Sequence, residues 1–283
     1  MIGHGIAHII GHMVGGCRLQ RLIRHGTGGA LYEALDLLTG QVVAVKVFSR
    51  LPFVAAANQG ESDRLWKVVC GLDHPGIVPI TRFGFEGGQH YAVMEHAGEG
   101  DLNHRLIPMQ RLEIPRVLLF VRQILLALDC LHGRGYLHLD VKPGNLLLYA
   151  GERLKLSDFA LLHPGYSAMR TVMGSPGFMS PEQIMGLTLD QRSDLFAVGV
   201  ILYRMLTGYP AFVGTDAADR LNNTLLVTPA NPSHILPHRI APSLSQVVLC
   251  ALAKRPSQRF PSAKEFLLSL ENAVAAAGSE WRS

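Results

Sequence analysis

The chain has 283 residues, 48% of them apolar, with 26 Lys and Arg against 22 Asp and Glu for a formal charge of +4. That length supports one large core or two smaller ones, and a thin basic surplus without any Lys/Arg block excludes a nucleic-acid footprint. Cysteines at 17, 70, 130 and 250 make no C-x-x-C pair, which argues against a zinc or disulfide framework and for a reducing, cytoplasmic setting; all four are expected as buried small hydrophobes.

Residues 1–16 lack the positive n-region of a secretory signal and read as a flexible, glycine-rich leader. His4, His8 and His12 recur at i, i+4, i+8, but a metal site needs further convergent ligands, so the leader reading is preferred. From Cys17 to Glu95 the pattern is extended: "RLQRLIRHG", "GALYEALDLL", a Thr39-Gly40 turn and the β-branched "QVVAVKVF" read as strands. One helix, "GESDRLWKVVCGL", runs to the breaker Asp73-His74-Pro75-Gly76, and "IVPITRFGF" and "HYAVMEH" flank Glu86-Gly87-Gly88 as a hairpin. Past the hinge-like "EHAGEGD", the stripe of "EIPRVLLFVRQILLALDCLHGRG" predicts a buried helix with Pro115 near its start and Gly133 and Gly135 past its end. That stretch and "LFAVGVILYRMLTGY" carry Arg122, Gln123 and Arg204 and are too short for a membrane span. Ser180-Pro181-Glu182-Gln183 predicts a helix entrance, with Ser180 as cap and Gln183 completing a capping box. "SDLFAVGVILYRML" and "SAKEFLLSLENAVAAA" predict two more helices.

Phosphoryl transfer needs a backbone cradle for phosphates, a cation on them, oxygen ligands for magnesium and a base near the incoming hydroxyl. "RHGTGGAL" offers a glycine-rich turn in which Gly26 and Gly29 let backbone approach an anion. Lys46 stands on the next strand in "VAVK". Asp140, Lys142 and Asn145 share the loop "YLHLDVKPGNLLL", and Asp158 opens "DFA" after "RLKLS".

In order and spacing, "HLDVKPGN", "SDFA", "GSPGFMSPEQ", "RSDLFAVGVILYRMLTG" and "KRPSQRF" resemble the eukaryotic-type protein kinases, most like the bacterial serine/threonine kinases. The resemblance implies an α+β, bilobal fold: a small antiparallel-sheet lobe with one main helix at 17–95, a hinge at 95–98, a larger mainly helical lobe at 98–275 with nucleotide in the cleft between them, and a tail at 276–283. It implies ATP- and Mg2+-dependent transfer of the γ-phosphoryl to protein Ser/Thr hydroxyls. By the same resemblance Asp140 orients the hydroxyl and accepts its proton, Lys142 neutralises the phosphoryl, Asn145 and Asp158 hold magnesium, and Lys46 grips the α- and β-phosphates. Met94 is the gatekeeper, Glu95 and Ala97 present hinge backbone to adenine, Ile23, Leu31, Ala44 and Leu147 sandwich the ring, and Asp101 touches ribose or substrate. Asp194 would brace the catalytic loop, and Glu182 with Arg259 would form a buried ion pair.

An aminoglycoside-kinase-type phosphotransferase shares H-x-D-x-x-x-x-N, but Lys142 and the "GSPGFMSPEQ" platform oppose it. A dinucleotide site is weaker still, since strict G-x-G-x-x-G is absent and a strand follows the loop. Related bacterial kinases often continue into a membrane span and sensor, so the chain is expected to be a soluble kinase or a fragment. Four departures stand out. Leu139 replaces the arginine that would clamp a phosphate on Ser167 or Thr171, so activity is expected not to depend on phosphorylation of that segment. Arg24 replaces a loop glycine, and Ala160 replaces the glycine of D-F-G. Leu65 stands where the partner of Lys46 is expected; Glu61, one helical turn earlier, is the expected substitute, against the reading of a solvated first-turn residue. These losses keep a second class open, a pseudokinase that binds nucleotide or a partner without turnover.

Overall fold

The computed structural model describes residues 10–26, 28–49, 59–165, 167–168, 173–236 and 239–280. It divides into two compact units, Met1–Gly98 and Glu99–Ser283.

The first unit is an antiparallel sheet with strand order β1-β2-β3-β4-β6-β5: β1 (Met13–Val14), β2 (Cys17–Gly26), β3 (Gly29–Asp36), β4 (Val42–Phe48), β5 (Ile80–Glu86) and β6 (Gln89–Glu95). Alternation decides its faces. Ala30, Tyr32 and Ala34 of β3 and Val43, Val45 and Val47 of β4 join Cys17, Leu19 and Val93 in one core. The intervening Leu31 and Lys46 are cross-strand partners on the other face, where Ala44 faces Met94. The sheet curls as strand twist requires: Arg82 of β5 pairs with Asp36 of β3 at 3.0 Å and donates to the Cys17 thiol at 3.1 Å. Residues read as leader take part in this sheet, since β1 pairs with β2 and Gly15 N donates to Glu86 Oε2 at 2.8 Å. Gly15, at φ +58, lies so near Tyr91 that a Cβ would stand 2.2 Å from the ring. Helix α1 (Gln59–Cys70) turns Leu65, Trp66 and Val69 inward, with Trp66 stacked on Phe83 and edge-on to Phe48.

The second unit is mainly helical. Its long elements are α2 (Ile114–His132), α4 (Arg192–Thr207) and α8 (Ala263–Glu280), joined by α3 (Pro181–Ile184), α5 (Ala217–Leu226), α6 (Pro232–Ile235) and α7 (Pro242–Ala251). Short pairs lie between them: β7 (Tyr136–Leu137) with β10 (His163–Pro164), β8 (Leu146–Tyr149) with β9 (Arg153–Leu156), and β11 (Ser167–Ala168) with β12 (Thr188–Leu189). Every residue of α4 except Arg192 and Arg204 is buried, as an all-round apolar helix demands. Gly199 sets its distance from α7, because a Cβ there would come within 2.8 Å of the Ala251 Cβ. No helix among the described residues is long and apolar enough to cross a membrane.

Two further expectations change. Only Cys17 is fully buried; Cys70 is exposed and Cys130 and Cys250 are half-buried, because the helices that carry them turn those positions toward solvent. Ser180 does cap α3 through Gln183 N at 3.3 Å, but the Gln183 side chain does not return the bond: its Nε2 donates to Leu139 O and Met173 O, both at 2.8 Å. His4 and His8 lie outside the described residues.

The ion pair of Glu182 and Arg259 is buried and bidentate, at 2.7 and 2.8 Å, and Ser193 Oγ also donates to Glu182 Oε1. Burial pushes the Glu182 carboxyl up, but the Arg259 guanidinium outweighs it and holds the group below its ordinary 4.5. Its stabilisation is therefore present above that pH and is lost as pH falls through the depressed value. Removing one partner of such a pair costs about 3–5 kcal/mol, so Arg259→Leu is expected to lower the unfolding free energy at neutral pH by that order in urea denaturation. In the variant the orphaned carboxyl titrates upward instead, so the deficit should narrow on acidification; a deficit independent of pH would remove the Glu182 charge as its cause.

Candidate active site

The residues singled out above fall in both units, and each set has its own geometry. In the first unit, β2 and β3 meet at Gly26 and Gly29. Gly29 is obligatory, since its φ is +129 and a Cβ would stand 2.1 Å from Val47 O. Gly26 has no such constraint and faces open space, and Arg24 beside it is exposed. Ile23 is exposed and Leu31 half-buried, while Ala44 and Met94 are buried. Lys46 is half-buried, with its Nζ 5.1 Å from the centre of the Phe48 ring. In α1, Leu65 is buried and Glu61 exposed in the first turn. Glu95 ends β6, its N–H donating to Pro79 O, and Ala97 follows half-buried.

In the second unit one carboxylate organises the loop. Asp194 is buried near the start of α4 and accepts three hydrogen bonds: from His132 Nε2 at 2.8 Å, His138 N at 2.9 Å and Leu139 N at 2.7 Å. Burial pushes this carboxyl up, but the His132 ring and the His138 N–H outweigh it, so its pKa is lowered and it stays ionised. Those two backbone bonds hold Leu139 in a left-handed conformation, φ +62, that a β-carbon disfavours by roughly 1–2 kcal/mol. The Leu139 side chain is buried with Leu137 and Leu189, against Leu161 and Met173. A guanidinium at this position would enter that apolar cluster.

The bend at Leu139 presents Asp140, whose carboxylate is fully engaged. Its Oδ2 accepts from Lys142 Nζ at 2.6 Å and Asn145 Nδ2 at 2.9 Å, and its Oδ1 accepts from Ser175 Oγ at 2.7 Å. Lys142 Nζ also donates to Ser175 Oγ. Ser175 thus belongs to the site by contact, although within "GSPGFMSPEQ" no spacing marked it. His138, fully buried, accepts the Asp140 N–H at Nδ1 and reaches Ser157 O from Nε2 at 3.0 Å, which fits the neutral ring protonated on Nε2. Its edge meets Phe159 at 5.2 Å.

Asn145 lies at the mouth of the β8–β9 hairpin, opposite Ser157, and Asp158 is the next residue of the chain. Leu146 pairs with Leu156, and one step out Asn145 O accepts both the N–H and the hydroxyl of Ser157, at 2.9 and 3.0 Å. Asp158 follows at φ +64, and that left-handed turn sits on the Asp rather than on Ala160, so the missing glycine leaves no strain behind. Asn145 Nδ2 is spent on Asp140 O and Oδ2, whereas Asn145 Oδ1 is buried without a hydrogen-bond partner among the described residues. An orphaned amide oxygen on a side chain whose nitrogen is bonded to the Asp140 carboxylate is donor chemistry a hard divalent cation takes. Leu147, half-buried on β8, bridges to Asp101, whose carboxylate caps a 3-10 turn by accepting from Asn103 N at 2.9 Å.

Comparison with known proteins agrees. Residues 18–269 match the family model of the protein kinase domain. The chain is 33% identical over 270 residues to the serine/threonine-protein kinase PknD of Mycobacterium tuberculosis, covering 94% of this chain and 40% of that protein. It is 33% identical over 268 residues to the serine/threonine-protein kinase pkn3 of Myxococcus xanthus, covering 90% and 49%. It therefore spans about half or less of the length of these two relatives. A crystal structure of the Mycobacterium tuberculosis PknI kinase domain, determined on a single-site mutant, superposes with a TM-score of 0.72 at 25% identity, covering 94% of this chain and 98% of that one. With its antiparallel-sheet unit and helical unit, the chain has the protein-kinase fold and belongs to the protein kinase domain family.

Proposed function

We propose that this chain transfers the γ-phosphoryl group of ATP to serine or threonine hydroxyls of proteins, with Asp140 as the group that orients the hydroxyl and accepts its proton. The observation that carries the reading is the engagement of Asp140 by Lys142, Asn145 and Ser175 on a loop braced by Asp194. The Lys142 ammonium lies against the carboxylate, where its charge can meet the negative charge that develops on the phosphoryl. The Ser175 hydroxyl on Oδ1 marks a position an alcohol can occupy. Asn145 and Asp158 would hold magnesium, which when bound would neutralise phosphate charge. In the first unit Lys46 serves the α- and β-phosphates, Gly26 and Gly29 the backbone approach, Ile23, Leu31 and Ala44 the adenine, and Glu95 and Ala97 its hinge contacts; Leu147 and Asp101 serve base and ribose in the second. The test is phosphate incorporation into the chain itself and a generic basic protein. Asp140→Asn should lose at least about a hundredfold in rate, in line with removal of a positioned base. In the same assay Glu61→Gln should fall well below Asp63→Asn, whereas equal rates would leave Glu61 an ordinary exposed first-turn residue.

A second reading, a nucleotide-binding scaffold without turnover, draws on one observation, the buried Leu65 where a carboxylate would face Lys46. Stabilisation by Mg-ATP in a thermal shift without any Asp140-dependent incorporation would favour it.

The segment after Asp158 needs no phosphate in this proposal, because the apolar packing of Leu139 with Leu161, Met173 and Leu189 already fastens it. Ser167 lies in β11, and Thr171 lies outside the described residues. Phosphatase-treated protein, its state checked by mass spectrometry, is expected to keep its rate within about twofold, as should Ser167→Ala with Thr171→Ala. Leu139→Arg should destabilise by roughly 1–3 kcal/mol through an unpaired buried charge. A rate that collapses on dephosphorylation and returns on rephosphorylation would overturn the idea.

A further inference from the structure

Arg220 stands on α5, in the second turn of a helix capped by Asp216. Two glycines shape a slot for it. A Cβ on Gly214 would strike Arg220 N at 2.5 Å and Cγ at 2.7 Å, so only glycine lets the chain pass there. Gly177, at φ +93, faces the far end of the same stem, its would-be Cβ 3.9 Å from Arg220 Cδ. The stem is packed close on Gly214 and runs beside Gly177 with room to spare, and the residue is exposed. Among the described residues the guanidinium meets no carboxylate within ion-pair distance. The two nearest acids in sequence are committed elsewhere. Asp216 accepts from Asp219 N at 2.8 Å, and Asp219 accepts from Thr215 N at 3.0 Å and from Asn223 Nδ2 at 3.4 Å.

What gives this cation meaning is the segment its stem runs beside. Gly177 is two residues beyond Ser175, whose hydroxyl sits on Asp140. Two residues of chain reach at most about 7 Å, and an extended peptide advances about 3.3 Å per residue. The guanidinium carried by that Cδ, beside Gly177, is therefore within reach of a side chain two or three residues from an acceptor hydroxyl at Asp140. We propose that Arg220 is a specificity-determining residue that selects protein substrates carrying an acidic side chain two or three residues from the phosphorylated serine or threonine. This rests on the phosphotransfer reading given above. An arginine suits the task because its fork meets a carboxylate bidentately, and a pre-positioned stem leaves less freedom to be lost on binding. An arginine lying on the surface only to cover glycine backbone with its methylene stem would do none of this, and the two cases separate by charge.

The experiment walks one glutamate through the positions flanking a single serine in an otherwise neutral peptide, with glutamine at the same position as control. For the wild type, kcat/KM for glutamate over glutamine should rise about three- to fivefold at the second or third position on one side, the range an exposed charge pair supplies, and shrink with added salt. Arg220→Met keeps the packing stem and should bring the ratio to one, Arg220→Glu should invert it, and all three proteins should turn over the glutamine peptides alike. A preference that survives in Arg220→Met, or a wild type with no preference at any position, overturns the assignment. Fluorescence anisotropy of the same peptides on Asp140→Asn protein, with and without Arg220→Met, reads the charge recognition without turnover. If no peptide is phosphorylated at all, the phosphotransfer reading fails, and the anisotropy still decides the role of Arg220.

Discussion

The buried carboxylate of Asp194 is the constraint on which the catalytic-loop geometry depends. An anion inside a helical core is tolerable only if fixed donors surround it, because the desolvation it suffers is worth several kcal/mol. Here the donors are one imidazole and two consecutive backbone N–H groups, of His138 and Leu139. Consecutive amides converge on one carboxylate only where the chain turns sharply, and the turn is the left-handed Leu139. That bend aims Asp140 and points the Leu139 carbonyl at Gln183. The strain of the turn and the charge of the acid are thus two halves of one arrangement, neither stable without the other.

From the same bend the remaining contacts radiate. His138 reaches Ser157 O, Ser157 returns to Asn145 O, and Asn145 closes on Asp140, so Asp140 and Asn145 share one hydrogen-bond circuit with Ser157, the residue before Asp158. Among the described residues the Asn145 Oδ1 of this circuit meets no donor. Gln183, buried, extends the circuit to Met173 in the segment leading to Ser175. A glutamine whose amide nitrogen is held between two loop carbonyls has its side chain drawn toward the loop and away from the Ser180 N–H, so the capping box is half made. Tertiary demand outcompeted a local preference worth about 1 kcal/mol.

The strands of the first unit were legible because a β-branched, alternating run has a single comfortable home, and the long helices because their apolar stripes have one period. The order of motifs made Asp140, Lys142, Asn145 and Asp158 readable as a group, since each has a fixed chemical task and fixed separations along the chain. Other members were not readable. Ser175 lies 35 residues from Asp140, and a serine among small residues carries no periodic or charge signature. The cysteines were misjudged for a similar reason: residue type gives an average burial, whereas the rotation of a helix about its axis, set by its neighbours, decides the individual case. Strand β1 was hidden because two residues after a glycine-rich run have no pattern long enough to register.

Leu139 shows the division most plainly. The amino-acid order determined that position 139 carries no guanidinium, that Asp140, Lys142 and Asn145 stand on one loop, and that the surrounding segments would be strand-rich first and helical after. Only the tertiary structure decided what replaced the missing charge, an apolar cluster assembled from β7, β12 and the segment between them, and which oxygen of the loop was left open. The reason is physical. Backbone preference and residue chemistry are local quantities carried by each stretch of chain, whereas packing partners and unspent hydrogen-bonding groups exist only after distant stretches have met.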